Sequence, residues 1–126
     1  MLPKFFAGLL FFSLNALAAT PAELLASYTA QSGQAANAAK GETFFKASHG
    51  QEWQCTSCHG QSPKGGGRHA STDKAIEPLA PAANTKRFTD SAKVEKWFRR
   101  NCKDVLAREC TAAEKADVLA WLITLR

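Results

Sequence analysis

Cys55-Thr56-Ser57-Cys58-His59 decides how this chain is read. Two cysteines separated by two residues are followed at once by a histidine, which is the C-x-x-C-H attachment sequence for c-type haem. Each thiol can add to one vinyl group on the same edge of a porphyrin. His59 then reaches the iron from one face. A redox dithiol would need a βαβ setting, and the flanking sequence has none. A zinc site would have to recruit Cys102 and Cys110, which are separated by seven residues and have a simpler use.

Attachment of haem to thiols calls for export, and the N-terminus reads as an export signal. Lys4 is a short positive region, Phe5–Leu14 an apolar run, and Ala16-Leu17-Ala18 an A-x-A cleavage site. The expectation is a signal over residues 1–18 and a mature domain over 19–126, located in a bacterial periplasm. The apolar run is short of the roughly 20 residues that span a bilayer, so cleavage is preferred to anchoring.

The mature part needs a cofactor to complete its core. Of its 108 residues only 16 are Leu, Ile, Val or Phe, below the roughly 20% expected of a self-sufficient globular domain. The 45% hydrophobic content of the whole chain is inflated by 23 Ala. A large enzyme fold is excluded by length. The net charge of +5 is mild, and no recognition motif or dense Lys/Arg stripe points to nucleic acid.

Four helices are predicted. Thr20-Pro21-Ala22-Glu23 is a capping box with proline at the first helical position, opening a helix that ends near Gln31 before Gly33. A second runs from about Ala36 to Ala47, and a third from Thr89/Asp90 to Arg100 with Val94, Trp97 and Phe98 on its apolar face. Thr111–Glu114, another capping box, opens the last, whose stripe is Val118, Leu119, Trp121, Leu122 and Leu125. Lys103–Glu109 is a candidate short helix. No strand pattern is visible. Residues 61–86, with Gly65-Gly66-Gly67 and three prolines, read as a loop long enough to wrap a bound group. The fold class is therefore all-α: a small domain of about four helices wrapped around one covalently bound haem c.

Cys102 and Cys110 remain after haem attachment, and in an oxidising compartment an even pair is most simply a disulfide, two free buried thiols being the alternative. The second axial ligand is less constrained. The single Met is Met1, which leaves with the signal, so methionine is excluded. His49, His69, a lysine, Asn101 or an open position remain. His69, in Gly67-Arg68-His69, suits a propionate contact, with Arg68 beside it. Asn101 shares a helix face with Val94, Trp97 and Phe98, or else caps that helix.

Gly41, Phe45, the attachment motif and a C-terminal helix bearing Trp121 and Leu122 resemble class I cytochromes c. Arg87-Phe88-Thr89-Asp90, Val94-Glu95-Lys96-Trp97-Phe98, Arg100-Asn101-Cys102 and Arg108-Glu109-Cys110-Thr111 resemble, more specifically, the sphaeroides haem protein (SHP) family of monohaem cytochromes. The resemblance implies that His59 and Asn101 hold ferric iron, that Asn101 leaves on reduction, and that ferrous iron then binds oxygen, nitric oxide or carbon monoxide. It implies a disulfide beside the ligand, matching Cys102 and Cys110. It also implies electron exchange with other cytochromes, among them a membrane b-type partner.

Three functions follow in order. The first is a periplasmic one-electron carrier, docking through Lys64, Lys74, Lys86 and Arg87. The second is a diatomic-gas binder. The third is an oxidoreductase or peroxidase, which would require His49 or His69 folded over the iron as an acid–base group.

Overall fold

The computed structural model describes residue 1 and residues 18–126. The expected export signal lies outside the described residues except for its ends. Helix α1 spans Pro21–Ser32, α2 Ala38–Lys46, α3 Cys55–His59, α4 Ser91–Leu106 and α5 Ala112–Thr124; strands β1 (Gly67–Arg68) and β2 (Ala75–Ile76) form one short antiparallel ladder.

The helix starts are chemical. Thr20 Oγ1 accepts from the Glu23 N–H at 3.1 Å while Glu23 Oε2 accepts from the Thr20 N–H at 2.8 Å. Thr111 and Glu114 repeat the arrangement at 3.1 and 2.8 Å. Asn37 and Asp90 cap α2 and α4 through their side-chain oxygens. These groups satisfy amide donors that the first turn leaves unpaired.

The core lies where α1 and α2 pack on α5: Leu24, Tyr28, Phe45, Ala116, Val118, Leu119, Trp121 and Leu122 are buried, joined by Phe88. Gly41 makes this packing possible. A Cβ there would lie 1.9 Å from the Asp117 carbonyl oxygen, so only glycine lets the α2 backbone touch α5. The Asn37 N–H donates to Asp117 Oδ1 at 2.7 Å beside the crossing.

Two expectations are corrected. The third predicted helix does not stop at Arg100, and Lys103–Glu109 is not a separate helix. One helix, α4, continues to Leu106 and ends at Ala107 in the left-handed region, φ +58°. Its apolar period persists past Asn101, because Cys102 and Val105 are buried. The middle segment is not wholly irregular. Gly67 pairs with Ile76 and Arg68 with Ala75, strands too short to show an alternating pattern in sequence. The Pro63 carbonyl accepts from the Leu79 and Ala80 N–H groups, both at 3.0 Å, and ties this segment down.

Candidate haem site

The attachment motif is a short helix of its own. Gln54 precedes it, and Ser57 Oγ accepts from the Gln54 N–H at 3.0 Å. Gly60 follows at φ +73° and turns the chain away. Cys55 and Cys58 are not bonded to each other. Burial pushes the Cys55 thiol up to about 11, with the adjacent Cys58 adding to the shift.

His59 is held neutral. Its pKa is lowered to about 4 by burial and by the positive charge of Arg87. A neutral imidazole is the form that ligates iron. The ring lies 6.0 Å from Phe45, and Phe45 lies 5.1 Å from Trp121. The α2–α5 crossing fixed by Gly41 thus positions the aromatic support of His59. The β1–β2 hairpin covers the motif from another side. A Cβ at Gly67 would sit 1.9 Å from the Cys58 carbonyl oxygen, and the Ala70 N–H donates to Cys58 Sγ at 3.3 Å.

Helix α4 carries the other candidate residues. Val94 and Phe98 pack against the core, and the Phe98 ring meets Tyr28 edge-on at 5.8 Å. Trp97 is 44% exposed. Asn101 lies inside the helix, not at its end; the C-cap is Ala107. The capping role considered for Asn101 is therefore removed. A disulfide joins Cys102 to Cys110, with Cα atoms 5.6 Å apart, and anchors the turn that carries Asn101 to the start of α5.

The remaining histidines have other partners. His49 Nε2 is 2.8 Å from the Phe44 carbonyl oxygen. His69 Nδ1 accepts from the Ser71 and Thr72 N–H groups at 3.2 and 3.3 Å, near Trp53. Arg68 turns to its own hairpin, donating to the Asp73 carbonyl oxygen at 3.1 Å. Arg87 was expected on an exposed docking patch with Lys64, Lys74 and Lys86. It is half-buried instead, donating to the carbonyl oxygens of Pro78 at 3.0 Å and Glu77 at 2.9 Å. Its influence on His59 makes it a site residue that a charge count alone misses.

These residues suit haem c. Two unpaired thiols share one helical segment with a neutral imidazole, and among the described residues no three His, Cys, Asp or Glu side chains converge on a common metal position. Iron in a porphyrin asks the protein only for axial donors.

A family model described as a domain of unknown function (DUF1924) matches residues 31–122. The chain is 47% identical over 107 residues to the cytochrome c-type protein SHP of Cereibacter sphaeroides, covering 82% of each. It superposes on the structure of oxidised SHP, an oxygen-binding cytochrome c, with TM-score 0.81 at 46% identity, covering 86% of this chain and 99% of that one. It also superposes on the solution structure of cytochrome c'' from Methylophilus methylotrophus, a protein examined for haem-ligand detachment. There the TM-score is 0.72 at 37% identity, covering 83% of this chain and 93% of that one. The chain belongs to the DUF1924 family and to the SHP-type cytochromes, small helical proteins with covalently attached haem c.

Proposed function

We propose that the protein is an exported one-electron cytochrome whose iron exchanges an internal ligand for a diatomic gas when reduced. Residues 1–18 serve as the export signal and residues 19–126 act in the periplasm. Among the described residues no helix is long and apolar enough to cross a membrane. Cys55 and Cys58 hold the haem covalently, and His59 is the proximal ligand. When bound, the haem supplies a one-electron couple and, once ferrous, an affinity for diatomic gases.

Asn101 carries the proposal. It sits mid-helix, where asparagine is a poor helix former, on the face shared with Val94, Trp97 and Phe98. Its neighbour Cys102 is tied by the disulfide. An amide oxygen is a hard, neutral donor that favours ferric over ferrous iron. Asn101 would therefore hold ferric iron and be a weaker ligand to ferrous iron. Oxygen binding in SHP and ligand detachment in cytochrome c'' support the same reading. Electrons come from or go to other cytochromes, a membrane b-type cytochrome among them.

Reduced-minus-oxidised spectra with and without carbon monoxide test this. The ferric protein should be six-coordinate, and the ferrous protein five-coordinate and quick to bind carbon monoxide. Asn101→Val should leave the ferric iron open or water-ligated with haem attachment intact. An unchanged ferric spectrum in that variant would remove Asn101 from the site and turn attention to His49 and His69.

A further inference from the structure

We infer that the outward face of α4 is the docking surface for an acidic one-electron donor protein, an inference that rests on the electron-carrier reading above. Helix α4 holds five basic residues against two acidic ones, an excess of three positive charges in a chain of net charge +5. Folding keeps that excess on the outward face. Glu95 turns inward to Tyr28 and Lys115, and Arg99 pairs with Glu109 at 3.1 Å. Lys93, Lys96, Arg100 and Lys103 are exposed and form no ion pair with a described residue. Elsewhere Lys46, Arg68, Arg108 and Lys115 are each matched to a carboxylate, and the exposed cations without one among the described residues, Lys40, Lys64, Lys74, Lys86 and Arg126, are spread over α2, the middle segment and the C-terminus.

These four cations share a helix face with Trp97, by their three- and four-residue spacing. Lys96 Nζ and the Arg100 guanidinium lie 5.9 and 5.5 Å from the centre of its ring. Tryptophan and arginine are the side chains most enriched where protein interfaces concentrate their binding energy. Trp97 directly precedes Phe98 and lies one turn before Asn101, so the basic face borders the proposed distal side. A partner seated there would lie beside the residues proposed to face the haem. Asp104, exposed one turn after Arg100, is the one carboxylate left on this face, so four cations stand against one anion around an exposed tryptophan. An anionic bilayer would attract the same charges by roughly 1 kcal/mol each, but it neither gives nor takes the electron.

Stopped-flow reduction of the ferric holoprotein by flavodoxin hydroquinone, an acidic protein donor, tests the inference. One electron passes to the cytochrome and leaves flavodoxin semiquinone. The wild-type rate should fall steeply between about 10 mM and about 150 mM salt. Lys96→Glu combined with Arg100→Glu should slow it by about tenfold or more at low salt. Reduced lumiflavin, small and neutral, should react equally with both proteins. Lys40→Glu combined with Arg126→Glu, an equal change of charge outside α4, should leave the flavodoxin rate near wild type. Equal slowing by that control pair, no salt dependence, or slowing of lumiflavin by the α4 pair would each overturn the inference. So would α4-dependent binding to phosphatidylglycerol vesicles with flavodoxin kinetics unchanged. Failure of both donors to reduce even the wild-type protein would instead sink the electron-carrier reading.

Discussion

The Tyr28 hydroxyl donates to Glu95 Oε1 at 2.5 Å and so joins α1 to α4. Lys115 Nζ, from α5, donates to Glu95 Oε2 at 3.0 Å and lies 5.5 Å from the centre of the Tyr28 ring. Three helices meet at one carboxylate, two turns before Asn101. The disulfide holds α4 at its other end. The helix that carries the candidate ligand is thus fastened on both sides of it.

Acid should loosen the first of these fastenings. Burial alone would raise the Glu95 carboxyl, but hydrogen bonds from Tyr28 and Lys115, with the charges of Lys115 and Arg99, hold it below its ordinary 4.5. A carboxylate with a depressed folded-state pKa adds stability that is complete above its unfolded value and lost as pH falls through the folded one. Denaturant midpoints of the ferric holoprotein, taken from about pH 6 to about pH 3, should fall less for Glu95→Gln than for the wild type. Parallel curves would mean that Glu95 contributes nothing. At neutral pH Tyr28→Phe should cost about 1.5–3 kcal/mol, the range for a hydrogen bond to a charged group.

The helix crossing should tolerate no side chain at residue 41. Gly41→Ala places a methyl group 1.9 Å from the Asp117 carbonyl oxygen, and the backbones must part. The expected loss is at least about 2 kcal/mol, read as a lowered melting temperature of the holoprotein. Gly65→Ala is the control. Its new Cβ meets the Ser62 carbonyl oxygen at an ordinary 3.7 Å, and it should melt close to the wild type.

The Cys102–Cys110 bridge closes a short loop, with a sequence separation of 8. Chain entropy assigns such a closure about 2–3 kcal/mol. Intact mass should show two alkylations only after reduction. Cys102→Ser combined with Cys110→Ser should lower stability and make ligand loss from the ferric iron easier, because the turn after Asn101 is released. Alkylation without reductant would show that the thiols are free.

Haem should stay on the polypeptide after denaturation in alkaline pyridine, with a c-type spectrum. Extraction of haem into acidic acetone would contradict attachment through Cys55 and Cys58. Cys55→Ala combined with Cys58→Ala should leave a poorly folded chain by circular dichroism, because so little apolar side chain remains to form a core.

Much of this protein was legible in sequence because its determinants are local. The two thiols and His59 lie within five consecutive residues. Each capping box is complete within four residues, and that the chain's single methionine is Met1 needs only a count. Interactions confined to one helical turn do not depend on how the chain later folds. What the tertiary structure decided lies between residues distant in sequence. Asn101 and Cys102 read as the end of a helix, yet burial of Cys102 and Val105 carries α4 on to Leu106. Arg87 read as one more surface cation. Two backbone carbonyls draw it inward, close enough for its charge to help keep His59 neutral. Glu95, an acidic residue on a basic helix, turned out to be where α1, α4 and α5 meet. Desolvation and charge pairing depend on what the rest of the chain brings alongside a residue, and no window of neighbouring residues contains that information.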